Sequence, residues 1–417
     1  MIPITEIKQA KERIAQVVEK TPLTKDLVLS ERYKANIYLK REDLQLVRSY
    51  KIRGAYNKIA SLSDDDRKRG VVCASAGNHA QGVAFACNHL DIKGRIYMPS
   101  TTPKQKINQV NMFGKDNVEV VLTGDTYDQA YYAAISDCEE RKSVFIHPFD
   151  DPVVAAGQGT IAMEIEEQLE QLHKKSLDYI FVPIGGGGLV SGVGSYLKQN
   201  GCKAKIIGVE PEGAPALVNS FKENKRVTLE EFEKFVDGAS VATIGKINFD
   251  IAKEVIDEMK LVPEGKVCTT ILQMYNESAI VVEPAGAMSV AALDFYADEI
   301  KGKNIVCIIS GGNNDITRTE EIKERSMLYE ELKHYFIIQF PQRAGALREF
   351  LNEILGPDDD ITHFEYTRKN SRENGPALVG IETKSKQDYI ELVKRLKEHN
   401  INFLHVNDSP DLFHLLI

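Results

Sequence analysis

Four short stretches of the 417-residue chain carry groups that could do chemistry together. Lys51 supplies a primary amine, and residues 185–188 supply backbone amides without side chains. Residues 75–79 and 310–313 supply hydroxyl and amide groups. An amine can form a Schiff base, and a glycine loop before a helix can bind an anion. This inventory predicts a site for pyridoxal phosphate (PLP), with Lys51 as the amine that forms the Schiff base.

A run of four glycines follows the apolar strand predicted at residues 179–184 and precedes a helix that begins near Leu189. The run consists of Gly185, Gly186, Gly187 and Gly188. A tight turn needs only one or two glycines, so the run favours phosphate binding by the backbone and the helix N-terminus. No Gly-Lys-Ser/Thr follows, which excludes a P-loop, and the spacing does not fit a dinucleotide fingerprint.

Two polar stretches also follow apolar strands. Ser75 and Asn78 could bind a substrate carboxylate or a ring hydroxyl, although Asn78 also suits a helix N-cap. His79 could be a base, but a structural histidine is the favoured interpretation. Ser310 begins the second stretch. Because open α/β sheets bind ligands at the carboxyl ends of their strands, we expect all of these stretches to share one crevice.

The elements that must position these groups alternate between strands and helices from Gly70 to Ile309. Mostly apolar strands separated by helical patterns predict an α/β fold with a mostly parallel sheet. The strands are predicted at residues 36–40, 71–74, 95–98, 118–122, 144–146, 179–184, 206–209 and 305–309. A first helix is predicted over residues 5–19.

The last eighty or so residues have their own order of elements. Strands are predicted at residues 335–340, 361–367, 377–383 and 402–406, with helices at 345–354 and 387–399. This βαββαβ order is ferredoxin-like. The charged residues before it predict a helix-like linker at 321–333, between a catalytic domain at 1–320 and a tail domain at 334–417.

The composition is that of a globular protein, with 43% hydrophobic and 27% charged residues. The net charge of -9 does not favour nucleic-acid binding or attraction to anionic lipid. No apolar run is long enough to span a bilayer, and the N-terminus has no signal-peptide pattern. Six scattered cysteines fit a reducing compartment. We therefore expect a cytoplasmic protein without nucleic-acid or membrane partners.

These motifs together resemble one family. Ser49-Tyr-Lys-Ile-Arg-Gly-Ala55, preceded by Lys40-Arg-Glu-Asp-Leu-Gln45, is similar to the lysine motif of the serine/threonine dehydratases. The asparagine stretch, the glycine run and Ser310-Gly-Gly-Asn313 match in the same order. The resemblance implies the fold of tryptophan-synthase-β-like (fold type II) PLP enzymes, with two parallel-sheet αβα subdomains. The smaller subdomain, at about residues 42–150, is inserted in the larger. The tail resembles an ACT-like regulatory domain.

The resemblance also assigns roles. Lys51 carries the cofactor and removes the substrate α-proton, Asn78 contacts the ring hydroxyl, and Ser310 contacts the pyridine nitrogen. The phosphate is held by the backbone of Gly185, Gly186, Gly187, Gly188 and Leu189. The substrate is bound by Ser75, Ala76, Gly77, Asn78 and His79.

The implied reaction is β-elimination and deamination of L-threonine to 2-oxobutanoate and ammonia, the first committed step of isoleucine biosynthesis. In this family the cofactor phosphate is implied to protonate the leaving hydroxide. Related serine racemases have an acid/base serine where this chain has Ala76, which favours elimination. Those relatives bind a metal near the positions of Glu210 and Ala214. Their third ligand corresponds to Ala216, so no divalent site is expected, and a monovalent cation is left open.

Several alternatives stay open at this point. The substrate could be L-serine, the reaction could be β-replacement, or the chain could be an amino-acid sensor with an inactive core. Glu283 could line the active site or cap a turn. The tail implies isoleucine or valine as effectors, with an oligomerisation module as the alternative. Relatives imply a homo-oligomer, either a dimer or a tetramer.

Overall fold

The computed structural model describes residues 1–172, 176–366 and 374–416. The chain forms two compact units, Met1–Ile316 and Thr317–Ile417. The strands of the first unit are β1 Leu23–Lys25, β2 Asn36–Arg41, β3 Val71–Ala74, β4 Gly94–Met98, β5 Val118–Leu122, β6 Val144–Phe145, β7 Tyr179–Pro183, β8 Lys205–Pro211, β9 Glu258–Val262 and β10 Asn304–Ile309.

Helices connect these strands. They are α1 Ile4–Ile14, α2 Leu27–Tyr33, α3 Lys51–Ala60, α4 Asp64–Arg69, α5 Asn78–Leu90, α6 Lys104–Gly114, α7 Tyr127–Arg141, α8 Pro152–Gln171, α9 Gly188–Gln199, α10 Ala216–Lys222, α11 Lys246–Val255, α12 Glu264–Ser278 and α13 Pro284–Ala291. Local caps fix several starts. The Asp151 side chain accepts from the Val153 amide at 2.7 Å ahead of α8, and Thr126 with Gln129 forms a capping box at α7.

The larger sheet of the first unit has the strand order β1-β2-β10-β7-β8-β9. Only the pair of β1 and β2 is antiparallel; the other neighbours are parallel. Strands β7, β8 and β10 are buried along almost their whole length, as parallel strands between helices must be. One hydrophobic core packs around this sheet.

A smaller, fully parallel sheet has the order β5-β4-β3-β6 and is formed by residues 71–145. A second core packs around it, with α3 and α5 contributing Ile52 and Val83. The α/β prediction is therefore confirmed. The glycine loop lies at the carboxyl end of β7, the residues after Ala74 at that of β3, and Ser310 at that of β10.

The second unit begins with α14 Thr319–Tyr329. Its other elements are β11 Lys333–Pro341, α15 Ala346–Glu353, β12 Asp360–Tyr366, β13 Asn374–Glu382, α16 Lys386–Glu398, β14 Phe403–His405 and α17 Pro410–Leu416. The antiparallel sheet has the order β12-β13-β11-β14, which is the ferredoxin-like arrangement. Helix α17 was not predicted. Thr367, the last residue of the predicted strand 361–367, lies outside the described residues.

The first predicted helix is wrong at its end. Helix α1 ends at Ile14 rather than at residue 19, and the Val17 and Val18 amides both donate to the Ile14 carbonyl in the turn that follows, at 3.0 Å each. This turn lets Ile14 and Val18 pack into the core of the smaller sheet, while Ile7 belongs to the core of the larger one. Among the described residues, no helix combines the length and apolar character needed to cross a membrane.

Candidate active site

A cleft of about 290 Å³ lies where the strand ends of the first unit meet. Its lining residues are Tyr50, Lys51, Asn78, Pro183, Gly185, Gly238, Ala239, Glu283, Ala285 and Ser310. The cleft thus brings together one member of each predicted stretch.

Lys51 reaches the cleft because backbone contacts tie its segment to the end of β10. The Tyr50 amide donates to the Ser310 carbonyl at 3.1 Å, and Ser49 forms an antiparallel bridge with Gly311. The Lys51 Nζ donates to the Pro148 carbonyl at 2.9 Å. Burial lowers the pKa of Lys51 to about 8, and the negative charge of Glu283 opposes this effect. About a tenth of the amine is therefore unprotonated at pH 7, far more than for an ordinary lysine, and a nucleophile or base must be unprotonated.

Neighbouring residues pack closely against the glycine run and leave no room for side chains there. A Cβ at Gly186 would overlap the Phe149 ring, and a Cβ at Gly185 would lie 3.0 Å from the Ala239 backbone. Gly187 has φ +87°, and a Cβ there would lie 2.7 Å from Ile244 Cδ1. The run therefore could not contain side chains without moving its neighbours.

The backbone amides of this run are available to a ligand. Within the part of the chain that the structure describes, the amides of residues 185–189 donate to no protein acceptor. Gly187 is the N-cap of α9, so these amides lie at the positive end of a 12-residue helix. Such a loop fits the phosphate of PLP, which would satisfy the free donors. Only Gly185 of the five predicted phosphate-binding residues lines the cleft; the other four are buried directly behind it.

Asn78 occupies the first position of α5 and joins a polar chain that crosses the cleft. Its Nδ2 donates to both carboxylate oxygens of Glu283, at 2.7 and 3.0 Å. Its Oδ1 accepts from Asn313 Nδ2 at 2.8 Å. Glu283 stands at the N-cap position of α13, yet its side chain makes no capping bond there. Of the two readings that the sequence left open, the structure therefore supports the one in which Glu283 lines the cleft.

The remaining residues of the predicted substrate set lie around Asn78. Ser75, Ala76 and Gly77 are half-buried in the turn between β3 and α5 and do not line the cleft. His79 is buried, and its Nε2 lies 2.9 Å from the Ile146 carbonyl. Burial and the nearby Lys51 charge lower the pKa of His79 to about 3. This imidazole stays neutral, as a structural histidine does.

Several residues of the cleft could not be found from the sequence. Gly238 and Ala239 lie in an irregular stretch between α10 and α11, which has no periodic pattern. Lys106 of α6 forms an ion pair with Asp237 at 2.7 Å, beside these two residues. A long-range contact of this kind leaves no trace in local sequence.

Glu210 and Ala216, which the family resemblance placed at the position of a metal site, both contribute to the start of α10. Glu210 is buried, and its carboxylate accepts from the Leu217 and Val218 amides at 2.8 and 2.9 Å. It therefore caps α10, while Ala216 is the first residue of that helix. The described residues contain no group of three His, Cys, Asp or Glu side chains that could hold a metal ion.

Glu283 should make stability depend on pH. Burial and the Asp237 charge raise its pKa from the ordinary 4.5 to about 7. Because the folded-state pKa is the higher one, its contribution to stability is complete below pH 4.5 and is lost as the pH rises through 7. Between pH 5 and pH 7.5, the free energy of unfolding of Glu283→Gln should therefore rise relative to that of the wild type by roughly 2 kcal/mol. Urea unfolding of the cofactor-free proteins at both pH values measures this difference. An exposed glutamate provides the control, Glu231→Gln, and a pH-independent difference for Glu283→Gln would contradict the expectation.

Two family descriptions match the chain. Residues 14–311 match the pyridoxal-phosphate dependent enzymes. Residues 324–416 match the C-terminal regulatory domain of threonine dehydratase. The two matches leave only short segments uncovered, and their boundary falls close to the boundary between the two units.

Individual relatives agree over the full length. The chain is 57% identical to the biosynthetic L-threonine dehydratase IlvA of Bacillus subtilis, over 100% of this chain and 98% of that protein. It is 52% identical to the protein of the same name from Staphylococcus aureus, over 99% and 98% of the two chains.

Solved structures of related enzymes resemble most of the chain. The processed form of threonine deaminase isoform 2 from Solanum lycopersicum is 41% identical, with a TM-score of 0.72 over 78% of this chain and 94% of that one. Maize serine racemase is 29% identical, with a TM-score of 0.71 over 79% and 98%. The chain therefore belongs to the pyridoxal-phosphate dependent enzymes, and within them to the threonine dehydratases with a C-terminal regulatory domain.

Proposed function

We propose that this protein is a PLP-dependent threonine ammonia-lyase that converts L-threonine to 2-oxobutanoate and ammonia in isoleucine biosynthesis. One observation carries the proposal: relatives named biosynthetic threonine dehydratases match the whole chain, including the tail. In the net reaction, elimination removes one water molecule across the Cα–Cβ bond of threonine. Hydrolysis of the C=N bond of the resulting imine takes up one water molecule and releases ammonia, so all atoms balance.

The residues of the cleft suit binding of this cofactor. The free amides of residues 185–189 would hold its phosphate, Asn78 would contact its ring hydroxyl, and Ser310 would contact its pyridine nitrogen. When bound, PLP supplies an electron sink for the negative charge that develops at the substrate α-carbon. Ser75, Ala76, Gly77, Asn78 and His79 form the turn proposed to bind the substrate.

Lys51 is the proposed base. Its lowered pKa of about 8 lets the Nζ atom accept the α-proton near neutral pH. Its bond to the Pro148 carbonyl holds the amine in the cleft while the substrate binds. Glu283 lies on the same cleft, and its charge favours the protonated lysine after proton transfer.

Two further residues favour elimination over other outcomes. Ser310 offers a hydroxyl, which cannot hold a full positive charge on a ring nitrogen as a carboxylate would. Negative charge then stays closer to the α-carbon, which assists expulsion of the β-hydroxyl. Ala76 has no group that could deliver a proton to the opposite face of the substrate, which disfavours racemisation.

A direct assay tests the proposal. The purified protein supplied with PLP should release 2-oxobutanoate from L-threonine, with a higher kcat/KM than for pyruvate release from L-serine. Chiral analysis of the remaining substrate should show no D-isomer. A protein that binds PLP but releases no keto acid from either amino acid would overturn the proposal and favour an amino-acid sensor.

We further propose that the second unit binds isoleucine, with valine as a second effector, and lowers turnover when isoleucine is bound. Titrating isoleucine into the threonine assay should raise KM, lower kcat, or both, because coupling between two sites requires different effector affinity in two states. Leucine at the same concentrations is the control. Unchanged KM and kcat would reject isoleucine regulation and favour an oligomerisation role for the tail.

The remaining expectations follow the same relatives. We propose a homo-oligomer, either a dimer or a tetramer, that works in the cytoplasm. The six cysteines are all free thiols, which suits that reducing compartment. We also propose that a monovalent cation can bind. A comparison of activity in potassium buffer with activity in tetramethylammonium buffer tests this proposal.

A further inference from the structure

Several residues of the motif around Lys51 have no place in the cleft. Lys40, Glu42 and Arg53 are all absent from its lining, although they flank Lys51 in the sequence. Lys51 and Arg53 are two residues apart on α3, so their side chains leave the helix about 200° apart. Lys51 points into the cleft, and Arg53 anchors the opposite side of the same helical turn.

Arg53 forks onto two carboxylates from different parts of the chain. Its Nε and Nη2 donate to Glu42 at 2.8 Å each. Its Nη1 and Nη2 donate to the two oxygens of Glu164, at 2.7 and 2.9 Å. Glu42 follows β2, and Glu164 lies on α8. Paired donors of this kind fix both the position and the plane of the guanidinium group.

Lys40 completes the group. Its Nζ donates to Glu164 and to the Thr21 carbonyl, both at 2.6 Å. The side chains of Lys40, Arg53 and Glu42 are at most 1% exposed, and that of Glu164 is 8% exposed. Two positive and two negative charges leave no net charge. Burying such a group does not stabilise a protein more than hydrophobic residues of the same size would, so its value lies elsewhere.

A second contact fixes the same face of α3. A Cβ at Gly157 of α8 would lie 2.6 Å from the Arg53 carbonyl, and a Cβ at Gly54 would overlap Gln158. The two helices therefore touch through their backbones, one residue after Arg53. Any rotation of α3 about its axis would break this contact and the forked bonds together.

The segment between Glu42 and Arg53 is also fixed on the cleft side. The Gly312 amide donates to the Arg48 carbonyl and Asn313 Nδ2 donates to the Val47 carbonyl, both at 2.9 Å. The ion pair of Arg53 with Glu42 closes the two ends of the segment. Lys51 lies near the C-terminal end of this segment. The segment is held by residues 312 and 313 on the cleft side and by the Arg53 ion pair on the opposite side.

We propose that Lys40, Glu42, Arg53 and Glu164, here called the Arg53 cluster, position Lys51 by fixing the rotation of the first turn of α3. None of the four is a catalytic residue, because none reaches the cleft. A looser cluster would let the first turn rotate, and Lys51 would lose both its bond to Pro148 and its shielding from water.

Arg53→Lys tests this, because lysine keeps the charge but cannot fork onto two carboxylates. Its matched control is Arg95→Lys, which changes another arginine of the same unit that pairs with Glu119 and Asp137 away from the cleft. The first readout uses cofactor-free protein: acetic anhydride labelling of Lys51 against pH, followed by mass spectrometry of the peptide. The labelling midpoint should rise by about half a pH unit or more in Arg53→Lys, since water would reach the amine. It should not move in Arg95→Lys.

The second readout rests on the proposed function. kcat for threonine should fall about tenfold in Arg53→Lys with KM within about twofold, the pattern of a lost positioning effect. Glu164→Gln should behave in the same way and serves if Arg53→Lys does not fold. Wild-type midpoints in the folded variants, or equal shifts in Arg53→Lys and Arg95→Lys, would overturn the proposal. A wild-type protein without activity would overturn the function alone, because the labelling result stands without it.

Discussion

Lys51→Ala is expected to lower kcat/KM for threonine at least about 10³-fold, because it removes the proposed base, which is the only amine among the described residues that line the cleft. The fold should survive, since the Lys51 side chain contributes little beyond its hydrogen bond to the Pro148 carbonyl. Steady-state keto-acid release, together with the visible absorbance of lysine-bound PLP, measures the loss. Both signals should disappear in the variant.

Lys58→Ala is the matched control, because Lys58 lies on the same helix and pairs with Asp151 away from the cleft. It should change kcat/KM by no more than about twofold, because neither Lys58 nor Asp151 lines the cleft. Activity of Lys51→Ala within tenfold of the wild type would show that another group removes the α-proton.

Gly187→Ala should weaken PLP binding roughly 30-fold or more. An alanine there would adopt φ +87°, which costs about 1–2 kcal/mol, and would press on Ile244 and Asn248, which adds about 1–3 kcal/mol. Relief of that pressure requires the loop to move, and its free amides would then no longer point at one phosphate. Equilibrium dialysis of PLP against the cofactor-free protein measures the affinity.

Gly201→Ala separates the cost of a positive φ from the cost of steric overlap with neighbouring side chains. Gly201 has φ +75°, but a Cβ there meets nothing within 4 Å, so only the conformational cost remains. This control should lose about 1–2 kcal/mol of stability and keep wild-type PLP affinity. If the two variants bind PLP equally well, the packing around Gly187 does not shape the phosphate site.

Much of this architecture could be predicted from the sequence because its signals are local. The apolar strands 71–74 and 118–122 are observed with the same bounds, and the glycine run lies between β7 and α9 as its composition requires. The ferredoxin-like order of the tail followed from alternating periodicity alone. Lys51, Asn78, Gly185 and Ser310 meet because parallel strands bring their carboxyl ends to one edge.

Other features depend on contacts that sequence patterns do not encode. Helices α10 to α13 and strand β9 were not predicted from the sequence. The orientation of Glu283 toward Asn78 depends on pairing across 205 residues. The Arg53 cluster was not predicted, because the burial of Arg53 is decided by contacts with α8, more than a hundred positions later.

The bond between Asn313 and the Val47 carbonyl joins residues 266 positions apart. During synthesis on the ribosome, Lys51 therefore emerges long before the strand end that holds its segment in place. Until β10 and residues 310–313 have been made, the amine remains an ordinary solvated lysine. The first unit must be almost complete before it can capture its cofactor, so the reactive centre is assembled late in folding and no shorter nascent chain carries it.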